Sequence, residues 1–408
     1  MTTSGYIFVQ DLVDEGADVV LDRLARAGLD GVTMAATYHH ARDVCPHNPR
    51  HRVVYHEGGV AYFQPQLECY GRLRPRTAAL ARDGDPLTAL REATDRHGMH
   101  PSAWVVVLHN SRLAFEHPDC APMTAFGDRL LNWLCPAHPD VRAYATALVS
   151  NIARFAYRRI DIEAVAYPTF DHGYHHERSF VRLSPNVRFL LGLCCCPYCL
   201  AAAEAAGVDA QRVQATIREH VQAVFDSSSA ETHESEVTLD ELASLAGGEL
   251  GHFLDARRAV VASLVHDITA AVKSESPETR VVYLDPSGAT LGYTTGRPTT
   301  ERTAVEIAWQ DGIDLRSIGQ TVDGMGVLAY FADPGRWLRE LEAYSTLLNS
   351  ADLEVVLRPM PPDTSSPEEL REKLVNLRRL RRCDASFYHY GLMRLENLDW
   401  VRQALGAT

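Results

Sequence analysis

The chain has 408 residues, is 46% hydrophobic and carries a net charge of −13. Nucleic-acid binding needs clustered Lys and Arg to displace counterions, and no basic stripe occurs, so nucleic acid is excluded as the expected partner. No apolar run approaches the ~20 residues of a spanning helix. The opening MTTSGYIFVQDLVDEG lacks the basic start and long apolar core of a signal peptide. The expectation is therefore a cytoplasmic protein with no membrane partner. Nine cysteines, four of them within residues 194–199, do not space like a secreted disulfide framework. Reduced thiols or a metal suit them better.

Residues 5–10 (GYIFVQ) form a β-rich run, residues 12–27 have helical spacing, and residues 31–36 (GVTMAA) form a second strand. A strand–helix–strand start places two parallel strands side by side. Within residues 52–64, two β-rich runs flank Gly58-Gly59, which predicts a hairpin in a loop insertion over 45–70. A helix over 86–97 leads to a strong strand over 103–108 (AWVVVL). A helix over 140–157 leads to a strand over 160–166. A long loop with the cysteine cluster then occupies 167–199. Long helices are expected over 200–225 and 239–273, with a polar turn between them. Strands over 281–284, 326–331, 353–357 and 385–389 alternate with helices to the end. Eight strands spread evenly with helices between them, and no composition break separates two cores. The expected fold is a single-domain (β/α)8 TIM barrel, with a doubly wound open sheet as the alternative.

A barrel works at the C-terminal ends of its strands. There the sequence offers Gln10, Asp11, Tyr38, His39, His109, Asn110, Glu163, Tyr167, Asp285, Asp333, Arg358 and His389. Glu163 ends an apolar run. It is either a buried acid satisfied by an Arg or by backbone donors, or a reacting group. With Asp285 on the next strand it could divide acid and base or nucleophile roles, and the separation of the two would decide between them. His109 and His389 each end a strand and could bind hydroxyls or move protons, or serve as hydrogen-bonded wall. Arg358 could hold an anionic group or pin one of the acids. Tyr38, Trp104, Tyr167 and Tyr390 are candidates to stack on a ligand face, or core residues.

The segment Asp171-His172-Gly173-Tyr174-His175-His176-Glu177 could ligate a metal, but its spacing matches no strong ligand motif. His172, His176 and Glu177 fit the binding of polar ligand groups equally well. Cys194, Cys196 and Cys199 belong to a C-C-C-x-x-C run, half of a zinc site. The fourth ligand could be Cys135, a histidine or Cys195, and buried free thiols are the alternative. Any zinc here would be structural, and the chemistry itself requires no cofactor.

Several motifs occur together: His47-Asn48-Pro49-Arg50, Leu108-His109-Asn110-Ser111, Phe126-Gly127-Asp128, Leu134-Cys135-Pro136, the 171–177 segment, Cys194 to Cys199, and Phe387-Tyr388-His389-Tyr390-Gly391. The set resembles the largely uncharacterised bacterial TIM-barrel proteins described as glycoside-hydrolase-like. The resemblance implies a barrel and a small-molecule or oligosaccharide ligand. It would give Glu163 the acid/base role and Asp285 or Asp333 the second carboxylate. Strand seven ends in Arg358-Pro359, and Ile162 precedes the strand-four acid, where many barrel glycosidases carry Glu and Asn respectively. These departures leave open a metal-dependent isomerase or lyase, and a carbohydrate-binding barrel without catalysis. The oligomeric state has no signature in the sequence.

Overall fold

The computed structural model describes residues 1–171, 178–227, 237–288, 295–348, 351–380 and 382–406. Eight parallel strands close on themselves: β1 (Thr3–Ile7), β2 (Gly31–Tyr38), β3 (His100–Val106), β4 (Arg159–Glu163), β5 (Arg280–Asp285), β6 (Gly324–Leu328), β7 (Asp352–Leu357) and β8 (Cys383–Phe387). Each pairs with its neighbours in chain order. β1 closes the ring through Gly5↔Val32 on one side and Gly5↔Phe387 on the other. The expected (β/α)8 barrel is the fold. Its strands read as nearly continuous apolar runs because both faces are covered, the inner one by opposing strands and the outer one by helices.

Local signals set the helix ends. Asp85 accepts from the Leu87 and Thr88 backbone N–H groups to start Pro86–His97, and Gly98 stops it at φ 63°. Asp333 and Ser366 start Pro334–Leu347 and Pro367–Arg379 in the same way. Two expectations need correction. The helix over 12–27 is two helices, Val9–Glu15 and Ala17–Arg26, because Gly16 takes φ 93° between them. The runs flanking Gly58-Gly59 do not pair with each other. Val53–His56 pairs antiparallel with Ala41–Val44, and Val60–Ala61 crosses to the end of β2. Gly58 packs so tightly under the loop after β2 that a Cβ there would meet His40 N at 2.5 Å.

Between β4 and β5 the chain inserts a helical layer. Pro185–Gly192, Pro197–Ala205, Ala210–Asp226 and the first half of Glu249–Glu275 bury their own apolar cluster, with Val187, Leu190, Val213, Ile217 and Phe253 at its heart. The helix expected over 239–273 breaks at Gly247 and Gly248, both at positive φ. Among the described residues, no single helix is long and apolar enough to cross a membrane.

The lower barrel interior is polar. Arg159, Asp161 and Glu163 alternate along β4 and so share one face. Arg159 pairs with Asp161 at 2.7 Å and with Glu354 of β7 at 2.5 Å. The Tyr6 hydroxyl donates to Asp161 at 2.8 Å, Arg159 donates to Thr33 at 3.2 Å, and Ser386 donates to Glu354. Buried charges persist only when paired and hydrogen-bonded, and this cluster meets that condition with groups from five strands.

Candidate active site

A cavity of about 690 Å³ opens at the C-terminal end of the barrel. That end is where barrel proteins carry their working residues, because the βα loops there vary freely over a rigid scaffold. Glu163, the last residue of β4, lies on the cavity wall. Trp104 of β3 donates its indole N–H to Glu163 Oε2 at 2.5 Å. Burial pushes the Glu163 carboxyl up to about 7. The Trp104 bond opposes that shift, and the nearby Asp161 charge adds to it. The next residue, Ala164, is held at φ 58°, a left-handed conformation that costs a non-glycine residue about 1 kcal/mol or more.

One wall is a ladder of rings. Tyr38 stacks on His39 at 4.2 Å, His39 on His109 at 4.6 Å, and His109 on Trp133 at 4.8 Å. Trp133 is fixed in turn by donating to the Ala166 carbonyl at 2.8 Å. Tyr6, Tyr330 and Tyr388 continue the aromatic lining, and Arg297 and Thr299 add polar groups. His109 and Tyr167, both expected at the site, line this cavity.

A second acid also lies there, and strand-end reasoning missed it. Asp311 belongs to the short turn Ala308–Asp311 after β5 and lines the same cavity. Burial and repulsion from Asp285 push its carboxyl up to about 7, while the Arg257 guanidinium opposes the shift. Its carbonyl accepts from Tyr167 N at 2.9 Å, which joins the turn to the loop after β4. An acid inside a mostly apolar helical stretch gave no pattern by which to find it.

Other expected site residues are placed elsewhere. Asp285 does not line the cavity. Leu284 faces the interior, so the neighbouring residue points outward. There Asp285 is fully buried, accepting from the Tyr344 hydroxyl and, at 3.0 Å, from Ser287 N. Asn110 is a helix cap, accepting from Leu113 N at 3.0 Å. Arg358 clamps Asp363 and lies over the Tyr330 ring at 4.4 Å, so it backs the cavity wall. His389 is fully buried, stacks on Phe8 at 4.0 Å and accepts from Gly391 N. Burial drives its pKa well down. Tyr390 bonds Glu15 and Arg23 away from the cavity. His172, His176 and Glu177 lie outside the described residues.

Cys135, Cys194, Cys196 and Cys199 converge beside the Tyr167 wall, all buried, with Cys135 Sγ 3.8, 3.5 and 3.5 Å from the other three sulfurs. Of the candidates left open by the sequence, Cys135 is the one placed beside these three thiols. Cys195 turns the other way, into the helical layer.

No family model matches the sequence, and no curated protein matches it. Solved structures do share its fold. The catalytic domain of β-amylase from Paenibacillus polymyxa is 12% identical with a TM-score of 0.57, covering 100% of this chain and 98% of its own. α-L-Fucosidase isoenzyme 2 from Paenibacillus thiaminolyticus is 12% identical at TM-score 0.56, and β-galactosidase from Marinomonas ef1 is 11% identical at 0.55. They cover 100% and 99% of this chain, which spans 49% of the fucosidase and 59% of the galactosidase. At these identities the likeness is one of fold: the chain is a TIM barrel similar in architecture to glycoside hydrolases.

Proposed function

We propose that this barrel is a glycoside-hydrolase-like enzyme acting on a sugar or glycoside, with Glu163 as the proton donor and Asp311 as the second carboxylate. One observation carries the reading: a carboxylic acid whose pKa burial raises to about 7, lining an aromatic-walled cavity at the C-terminal mouth of the barrel. Breaking the glycosidic bond to an alkyl leaving group requires a proton on the leaving oxygen, and an acid with a raised pKa supplies it near neutral pH. Aromatic rings suit the apolar faces of sugars, and Arg297, Thr299 and His109 offer hydrogen bonds to hydroxyls. Asp311, whose ionised form the Arg257 guanidinium favours against burial, is suited in that form to activate water or to attack the sugar carbon. The names of the fold neighbours, an amylase, a fucosidase and a galactosidase, fit the same substrate class.

The metal-dependent isomerase or lyase has less support. Among the described residues, the converging metal-type donors are the four cysteines and the group Asp119, Cys120 and His138, and neither includes Glu163.

The test is hydrolysis of a panel of alkyl and aryl glycosides by the wild type and by Glu163→Gln. The variant should lose about 10²–10⁴-fold on alkyl glycosides, the usual worth of general acid catalysis. It should lose far less on aryl glycosides, whose leaving groups need no proton. No hydrolysis by the wild type, or equal rates in the variant, would sink the reading, and ligand binding without turnover would point to a binding barrel.

A further inference from the structure

We propose that Cys135, Cys194, Cys196 and Cys199 bind one zinc ion, and that this centre holds the Tyr167 wall of the cavity in place. The four sulfurs come from three separate places: the loop after β3, the connection after Pro185–Gly192, and the first turn of Pro197–Ala205. Cys135 Sγ lies 3.5–3.8 Å from the other three sulfurs, too far for a disulfide, whose sulfurs lie ~2.05 Å apart, and all four lie within 4.8 Å of one another. The Cys135 distances agree with the edge of a tetrahedron around zinc, about 3.8 Å for ~2.3 Å Zn–S bonds. Thiols are weak donors and weak acceptors, so four of them gain little from meeting in a buried site without an ion. Soft thiolates in tetrahedral array select zinc or iron over hard cations. The alternation within Cys194-Cys195-Cys196 supports the assignment, since the outer two face the site and the middle one faces the helical core.

A shell of four protein sulfurs leaves no open position for substrate, so the role is structural. Its reach extends further. The Tyr167 hydroxyl lies 3.2 Å from Cys199 Sγ and donates to it once the sulfur is a thiolate, while Met123 N donates to Cys194 Sγ at 3.3 Å. The Tyr167 ring lines the cavity, its N–H holds the Asp311 carbonyl, and the Arg257 guanidinium lies 4.5 Å from the ring centre. Tyr167 is thus a positioning residue between the metal centre and the Asp311 turn. The proposal is independent of the hydrolase reading, because its readouts are metal content and spectra.

Elemental analysis of the full chain should give one zinc per molecule, lost in Cys196→Ser. No zinc, iron in its place, or zinc retained in that variant would overturn the site. Because a cysteine variant can fail to fold, cobalt(II) exchanged into the wild type provides a second test. Intense thiolate-to-cobalt charge-transfer absorption is expected, and its absence would overturn the four-thiolate shell. Tyr167→Phe should keep one metal per chain and shift that band, since a hydrogen bond to a ligand sulfur is removed. An unshifted band would overturn the link to the cavity.

Discussion

Trp104 reaches Glu163 Oε2 with its indole N–H at 2.5 Å while its ring meets Tyr6, Tyr38 and Tyr388 edge-on, at centroid distances of 5.4, 4.9 and 5.9 Å. One side chain therefore builds the cavity wall and favours the ionised form of the acid. Replacing it by Phe keeps a ring and removes the donor. Trp104→Phe should raise the Glu163 pKa above its starting value of about 7, by roughly one unit given the usual worth of a hydrogen bond to a charged group. The alkaline limb of the pH–rate profile should move up accordingly, and an unmoved limb would show that the bond does not govern the acid.

Of the acids lining the cavity, Asp43, Glu163, Asp171 and Asp311, the two with proposed roles, Glu163 and Asp311, set the expected pH dependence. Glu163 must be protonated to donate, so activity falls as pH rises through its pKa. Asp311 must be ionised, so activity falls as pH drops through its own. Both lie at about 7, which predicts a narrow bell centred near neutrality. Glu163→Gln should remove the alkaline limb and Asp311→Asn the acid limb, each in the residual rate.

The same shift acts on stability. Glu163 has a folded pKa raised from 4.5 to about 7, so its protonated form favours the fold, and that share is lost as pH rises from about 4.5 through 7. Glu163→Gln never ionises. It should be more stable than the wild type above pH 7, by about 3 kcal/mol, and about equal near pH 4. Denaturant midpoints at the two pH values measure this directly. A variant less stable at both would contradict the burial of the acid.

Asp285 and Asp311 should separate cleanly. Asp285→Asn alters a buried bond to Tyr344 outside the cavity and should lower the melting temperature more than the turnover. Asp311→Asn should do the reverse. Steady-state rates and thermal unfolding on both variants test the assignment, and a silent Asp311→Asn would remove it from the chemistry.

Arg159 neutralises Asp161 and Glu354 inside the barrel. Arg159→Met leaves two buried acids without their cation, which should cost about 3–5 kcal/mol. The loss should be partly recovered at low pH, where the acids take up protons. Urea unfolding at pH 5 and pH 8 would show it.

The barrel was legible because its strands are buried on both faces and so stand out as apolar runs at even spacing. Glu163 was legible too, because it ends an apolar run at the C-terminal side of a strand. Asp285 looked equivalent and is not. A strand's period of two makes facing depend on a one-residue offset, and only the register shows that Leu284, not Asp285, points inward. Asp311 was hidden because it sits on a turn remote in sequence from its strand, placed by its contact with Tyr167. The cysteine run announced half of a site. Cys135, some sixty residues earlier, was one of three candidates for the remaining position, and the fold selected it.

The polar cluster around Arg159 also acts as a stopper. Below it the barrel retains only a recess of about 20 Å³, roughly the room one water needs. Whatever enters the upper cavity therefore cannot leave through the N-terminal end of the barrel. A long chain cannot thread along the axis of such a barrel.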